Sequence, residues 1–170
     1  MQMLSPAQCF GYAAFALGVV AFLQRNDRRL KLLNASQCLV YTLHFMLLGN
    51  PPAAASSLVS GVRSLLALKT RSPWVAALIL VIGIVVGWIF VDGGYGWLPV
   101  IASSVATVAV FLLSGIPLRL ALLVGTLCWL ANNLLCGSIG GSLLELTAAI
   151  VNGTTILRMV RERRHRRPPR

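Results

Sequence analysis

The feature that most constrains the fold is a series of seven apolar stretches separated by short polar breaks. The stretches cover roughly residues 8–24, 30–48, 53–69, 74–91, 97–113, 118–136 and 141–159. Each is close to the roughly 20 residues that a helix needs to cross a bilayer, and breaks such as GNPP, TRSP and SGIP contain residues typical of turns. Because 57% of the residues are apolar and only 11% are charged, we predict an all-α integral membrane protein with seven transmembrane helices.

The distribution of basic residues predicts how these helices are oriented. Fourteen of the fifteen Lys and Arg residues lie in the first, third and fifth breaks or from Arg158 onward. Since short loops rich in Lys and Arg stay on the cytoplasmic side, we expect the N-terminus outside and the C-terminus in the cytoplasm. The exception is Arg63, which is expected near the middle of the third helix. No basic region or cleavage site precedes the first stretch, so it is predicted to be a retained span.

The net charge of +11 comes from the same clusters. In a soluble protein this charge would suggest nucleic-acid binding, which needs a basic face on a folded surface, but here the charges lie between apolar stretches. We therefore expect no nucleic acid as a partner. The expected partners are the lipid bilayer and, for the basic residues 161–170, its anionic headgroups. The alternative for these residues is a topology anchor with some lipid affinity.

A shift of 88 positions aligns the first three apolar stretches with the last three. The aligned residues are Leu30, Lys31 and Leu32 with Leu118, Arg119 and Leu120, Tyr41 with Trp129, Leu47 with Leu135, and Gly49 with Gly137. A unit with three spans would be inverted in its second copy, and one additional helix restores the orientation. We therefore predict two parallel three-helix repeats, 1–72 and 94–160, joined by a linker transmembrane helix, 73–93, and followed by a basic cytoplasmic tail, 161–170.

Polar residues in the third and seventh stretches form the candidate site. The shift pairs Ser57 with Glu145 and Ser64 with Asn152. Helical spacing puts Ser57, Ser60 and Ser64 on one stripe, and Glu145 and Asn152 on another. If an axis along the membrane normal relates the repeats, both stripes face it. The predicted substrate-binding residues are Asn152, Ser64, Glu145, Arg63, Ser60 and Ser57.

Three further polar residues are expected at the outer mouth of this site. His44 lies on the second helix, and Asn132 and its neighbour Asn133 lie at the corresponding place on the sixth. Each polar group also has a structural interpretation, because Ser and Asn commonly hold membrane helices together. For Arg63 and Glu145 that alternative is an ion pair, although a charge in the bilayer costs about 2.5 to 3.5 kcal/mol and is more often functional.

The sequence contains no signature of a membrane enzyme. It has no HExxH motif, no paired carboxylates on one helix and no nucleophile beside a base. Its four cysteines show no spacing typical of metal ligands. We expect no catalytic activity, no cofactor and no metal.

Several stretches carry a resemblance to a known family. FLQRNDRRLK, LHFMLLGNPPAAASSLVSGVRSLLALKTRS, WLPVIASSVAT and GSIGGSLLELTAAIVNGTTILR resemble the YgjV-type bacterial inner-membrane proteins, which implies an inner-membrane location. The three-one-three arrangement is similar to that of the SWEET and PQ-loop superfamily of small transporters. That second resemblance implies a solute pathway on a pseudo-twofold axis, with an Asn on the third helix of each unit contacting substrate. Asn152 matches this Asn in the second unit, whereas the first unit has Ser64.

The sequence therefore predicts a facilitator or proton-coupled transporter of a small polar or charged solute. The two three-helix units are expected to rock about a central site, with Asn152 and Ser64 bonding the solute and Glu145 acting as a gate or proton carrier. The alternative is a non-transporting membrane scaffold or partner-binding protein, in which buried polar residues only hold the bundle together.

Overall fold

The structure is a computed structural model and describes residues 4–22, 24, 27–70 and 72–165. These residues form seven α-helices and a short 3-10 turn, Gly94–Gly96, so the predicted all-helical fold is confirmed. The helices are α1 Pro6–Phe22, α2 Asp27–Leu47, α3 Pro51–Leu66, α4 Pro73–Phe90, α5 Trp97–Leu112, α6 Gly115–Leu135 and α7 Ile139–His165. Arg25, Arg71 and residues 166–170, half of the predicted tail, lie outside the described residues.

Proline and glycine set several helix boundaries. α3 begins at Pro51, and a missing N–H costs nothing at the first helical position. Gly49 after α2 and Gly137 after α6 have φ values of +69° and +70°. This left-handed conformation ends a helix and is readily adopted only by glycine.

Four helical segments within the described residues are long and apolar enough to cross a membrane: Pro73–Phe90, Gly94–Leu112, Gly115–Leu135 and Ile139–Arg163. The segment Pro6–Ala21 is apolar but shorter. On α4 the side chains of Trp74 and Trp88 are 83% and 75% exposed. Such an apolar outer surface suits contact with lipid, and the chain is an integral membrane protein.

Six helices pack as a closed ring, and α4 lies outside it. Around the ring α1 contacts α2, α2 contacts α3, α3 contacts α5, α5 contacts α6, α6 contacts α7, and α7 contacts α1. α4 packs against α3 and α5. The short connections make successive helices antiparallel. The α2–α3, α4–α5 and α6–α7 connections therefore share one side of the bundle with the start of α1, here called the junction side; the opposite side, where most basic residues lie, is the basic side.

Aromatic rings fill the middle of the ring of helices. Phe45 stacks on Tyr41 at 5.2 Å between centroids and on Trp129 of α6 at 5.7 Å. Small residues let the surrounding helices approach closely, as is common in membranes. At the α1–α7 crossing a Cβ on Gly140 would overlap the carbonyl of Gly11.

The prediction that Arg63 lies near the middle of its helix is wrong. α3 ends at Leu66, which puts Arg63 in its last turn. The apolar stretch continues beyond this point in the sequence, but residues 67–69 form a turn, in which Leu68 N–H donates to the carbonyl of Leu65. Arg63 is therefore close to the basic side, where the other basic residues lie.

Candidate functional site

The α2–α3 and α6–α7 junctions have the same backbone hydrogen bonds 88 positions apart. In the first, Asn50 N–H donates to the carbonyl of Phe45 at 2.9 Å. In the second, Ser138 N–H donates to the carbonyl of Asn133 at 2.8 Å. Each bond closes the turn around a left-handed glycine, so Asn50 and Ser138 occupy equivalent places.

Both of these residues cap the helix that follows. The side-chain oxygen of Asn50 accepts a hydrogen bond from Ala53 N–H at 3.2 Å, and that of Ser138 accepts one from Gly141 N–H at 3.1 Å. Asn and Ser are preferred caps because they satisfy backbone donors that have no partner within the helix. The α3 and α7 N-termini are thereby fixed on the junction side.

The two junctions also exchange side-chain hydrogen bonds. Asn50 Nδ2 donates to Asn132 Oδ1 on α6 at 3.0 Å. Ser138 Oγ lies 2.7 Å from His44 Nε2 on α2. The partners, His44 and Asn132, are themselves 88 positions apart and so are equivalent residues. The Asn50–Asn132 bond and the Ser138–His44 bond are therefore the same bond made in opposite directions between the two halves. This pattern ties the first three helices to the last three.

The bonds around His44 fix its tautomer. Its Nδ1 lies 2.6 Å from the carbonyl oxygen of Ala7, which only accepts, so Nδ1 carries the hydrogen. Nε2 then accepts from the Ser138 hydroxyl. Gln8 adds a second link from α1, donating from Nε2 to the carbonyl of Gly137 at 2.7 Å and accepting at Oε1 from Ile139 N–H at 3.2 Å. The arrangement suits a neutral imidazole.

Buried polar atoms without a protein partner lie beside these bonds. Among the described residues they are Tyr41 Oη, Asn132 Nδ2, Asn133 Nδ2 and Asn133 Oδ1. Leaving such an atom unsatisfied costs about 1–3 kcal/mol, and native proteins have few of them. Asn133 is notable because both atoms of its amide are unpaired, which holds whichever way the amide is turned. A Cβ at Gly141 would overlap its Oδ1, so this amide faces the start of α7.

The residues predicted at an outer mouth are therefore sealed inside the protein. His44, Asn132 and Asn133 are each 0% exposed. They lie toward the junction side, where His44 and Asn132 take part in the exchanged bonds.

Glu145 lies one helical turn beyond Gly141 on the same face of α7. It is half-buried and has no hydrogen bond or ion pair with any described residue. Leu144, the residue before it, packs in one buried cluster with Tyr41 and Phe45 of α2. Glu145 thus lies next to this cluster without a compensating charge among the described residues.

Arg63 is engaged elsewhere, between α3 and α5. Its Nη1 donates to the carbonyl of Ser103 at 2.9 Å and to Thr107 Oγ1 at 3.1 Å. The hydroxyl of Ser60 lies 3.1 Å from that of Ser103. The structural alternative of an ion pair between Arg63 and Glu145 is not realised in the part of the chain that the structure describes.

Ser64 and Asn152 are also held by neighbouring helices. Ser64 Oγ donates to the carbonyl of Ser60 at 2.9 Å and accepts from Asn34 Nδ2 of α2 at 2.7 Å. Asn152 Nδ2 donates to the carbonyl of Arg119 on α6 at 2.8 Å. Each therefore contacts the helix preceding its own. The six predicted substrate-binding residues fall into separate groups, with Ser57 buried on α3.

The structure also identifies polar residues that sequence reasoning missed. Tyr41, Gln8, Asn50 and Ser138 were not among the predicted site residues. The 88-position shift aligns Asn50 with Ser138 and so carried a signal for those two. The orientations of Gln8 and Tyr41 depend on helix rotation, which no motif indicates.

Comparison with known proteins assigns the chain to a family. A family described as bacterial inner membrane protein, Imp-YgjV, matches residues 5–163. The chain is 37% identical over 155 residues to the inner membrane protein YgjV of Escherichia coli strain K12, covering 91% of this chain and 85% of that protein. No solved structure matches the chain. Together with its apolar membrane-length helices, these matches show that the chain is a multi-pass member of the YgjV family of bacterial inner membrane proteins.

Proposed function

We propose that this protein is a transporter or facilitator of a small polar solute, with its site between two three-helix units. The observation that carries the proposal is the pair of exchanged bonds, His44–Ser138 and Asn50–Asn132, lying beside buried polar atoms that have no protein partner. In transporters built from two repeats, the solute binds between the repeats, and contacts between them close one side of the site. The two bonds would form such a closure, and the unpaired polar groups beside them could bind the solute.

The proposed architecture is a three-one-three arrangement, similar to that of the SWEET and PQ-loop proteins. In it α1–α3 and α5–α7 are parallel repeats related by an axis along the membrane normal, and α4 is the linker. Two features support it. Rotation about such an axis superimposes one exchanged bond on the other. The same rotation superimposes the α1–α7 contact on the α3–α5 contact. A single symmetry operation accounts for both.

The proposed topology has the junction side outside and the basic side in the cytoplasm. It is supported by the concentration of Lys and Arg residues on the basic side, because short loops rich in these residues stay in the cytoplasm. Arg63 agrees with it, since it lies in the last turn of α3. Arg161 and Arg163, exposed near the end of α7, are proposed to contact anionic lipid headgroups.

In the proposed cycle the bonds between the junctions act as the outer closure. They hold the units together on the junction side, and rocking of one unit against the other breaks and remakes them. The solute then contacts a central site, defined as Tyr41, Asn133 and Glu145. Asn152, with Ser57, Ser60 and Ser64, lies nearer the basic side and is proposed to border the inner part of the pathway.

The second candidate is a membrane scaffold without transport. It is favoured by Arg63, Ser64 and Asn152, which are all bonded within the protein and need no solute. It gives no reason for the unpaired amide of Asn133.

Thermal stabilisation of the purified protein by a metabolite library tests the proposal. A solute that binds only the folded state raises the apparent Tm by mass action. We expect at least one small polar solute to do so in wild type and in Thr147→Ala, an exposed control position on α7. The shift should be lost in Asn133→Ala. Absence of any stabilising solute, or a shift that Asn133→Ala retains, would favour the scaffold.

A further inference from the structure

The electrostatics of the central site indicate the class of solute, an inference that rests on the proposed function. Glu145 is the acidic residue of α7 within the bundle, and no described residue pairs with it. An isolated carboxylate in an apolar surrounding is stable only when a proton or another positive charge neutralises it. The site therefore has one negative charge that a ligand or a proton must balance.

Among the described residues, neither Arg63 nor His44 balances that charge. Arg63 directs its guanidinium toward Ser103 and Thr107 of α5. Both ring nitrogens of His44 are bonded, to Ala7 and Ser138. An anionic solute would consequently meet a carboxylate without a compensating cation, whereas a cationic solute would supply the missing charge.

The other groups around Glu145 also suit a small organic cation. The hydroxyl of Tyr41 and Oδ1 of Asn133 are unpaired and able to accept hydrogen bonds. The stacked rings of Tyr41, Phe45 and Trp129 provide aromatic surface, and aromatic faces attract ammonium groups. An ammonium group can donate hydrogen bonds to Tyr41 Oη and Asn133 Oδ1, and its positive charge can pair with the carboxylate of Glu145.

The titratable groups around α7 do not compete for this role. α1 and α7 meet near Gly18 and Leu144, and residues 13–19 of α1 include no titratable side chain. The groups on the helices packed against α7 are Cys9 and Tyr12 on α1 and Arg119 and Cys128 on α6, with Cys136 at its end; Cys38 and Tyr41 lie on α2 and Arg63 on α3. Arg119 is bonded to Asn152, two turns further along α7. Glu145 is the carboxylate among these groups, so it is the one that can pair with a cationic ligand.

We infer that Glu145, Tyr41 and Asn133 bind a small organic ammonium ion in competition with a proton. When the ammonium enters, it pairs with the carboxylate of Glu145, and the proton held there leaves to solvent. No covalent bond other than this O–H bond changes. The site then binds one cation, either a proton or the ammonium, and is net neutral in both states, which is the requirement for exchange of a cation against a proton.

Three probes of similar size and different charge test this inference: ethylammonium chloride, sodium propionate and propanol. Apparent Tm is measured on the purified full chain with each probe, at pH 6 and pH 8, against sodium chloride. We expect ethylammonium alone to raise the Tm of wild type and Thr147→Ala. The rise should be larger at pH 8, where fewer protons compete, and should be absent in Glu145→Gln. Equal shifts with propionate or propanol, or a retained shift in Glu145→Gln, would overturn the inference.

Three outcomes keep this test separate from the proposed function. If Glu145→Gln fails to fold, the comparison of the three probes on wild type still decides the charge class. If ethylammonium binds but does not cross proteoliposomes, the cation site stands and transport is contradicted. If instead a neutral metabolite binds through Asn133 and Glu145→Gln has no effect, the cation inference falls and the transporter proposal stands.

Discussion

Asn132 and Asn133 are adjacent on α6 yet have different roles. Asn132 accepts a hydrogen bond from Asn50, whereas neither amide atom of Asn133 has a partner. Sequence reasoning selected both residues, with His44 and Glu145, because polar groups in apolar helices are rare. It did not reveal which were satisfied, since partners depend on the rotation and depth of each helix. Arg63 illustrates this: its partners, Ser103 and Thr107, are 40 and 44 residues away in sequence.

This difference predicts opposite effects of one substitution at the two positions. Asn133→Leu replaces an unpaired amide by an apolar group of similar size, so it should leave the unfolding free energy unchanged or raise it by about 1–3 kcal/mol. Asn132→Leu leaves the Asn50 amide without its acceptor and should lower the unfolding free energy by about 1–3 kcal/mol. Reversible unfolding in mixed micelles measures both.

The scaffold interpretation gives a different expectation for these two variants. If Asn133 holds the bundle together, Asn133→Leu should be the more destabilised of the pair. A destabilised Asn133→Leu beside an unaffected Asn132→Leu would therefore contradict the assignment of roles made here.

At the level of the helices, their number and approximate positions could be predicted from the sequence, because proline, glycine and charged residues separate the apolar stretches. The turn after α2 and the turn after α6 both depend on a left-handed glycine, which the 88-position alignment already paired. The end of α3 was less well predicted, since residues 67–69 are apolar or long-chained and carry no break signal. Close helix crossings were not predictable, because a glycine that contacts another helix looks the same in sequence as one that faces lipid.

Two glycines of α7 make this last point testable. Gly140 contacts the α1 backbone, and an added Cβ would overlap the carbonyl of Gly11, whereas Gly153 has nothing within 4 Å of its added Cβ. Gly140→Ala should separate α1 from α7 and lower the unfolding free energy by about 1–3 kcal/mol, the usual cost of overpacking. Gly153→Ala should be neutral or slightly stabilising, because Ala favours helix.

Unfolding of the two variants under the same detergent conditions provides the comparison. Equal stability of the Gly140 and Gly153 variants would show that the α1–α7 contact tolerates a Cβ at position 140, which would contradict this prediction.

At the level of the whole molecule, the proposed transport requires movement of two units about the central site. The ring of six helices with α4 outside it brings both junctions to one side, where their exchanged bonds join the units. Cys136 follows α6, and its N–H donates to the carbonyl of Asn132, the residue whose side chain accepts a hydrogen bond from Asn50. Both the native thiol and the closure are therefore in place for a reversible crosslink introduced by one substitution, Asn50→Cys.

The most direct test is uptake into proteoliposomes of the solute that gives the largest stabilisation, measured with Asn50→Cys reduced and oxidised. Asn50→Cys with Cys136→Ser is the matched control, since it has the same substitution but no partner thiol. We predict uptake by the reduced protein, loss of uptake on oxidation, recovery with reductant, and no redox effect in the control. Uptake that continues through a complete crosslink, or no uptake by the reduced protein or wild type, would contradict transport by opening of the junction side.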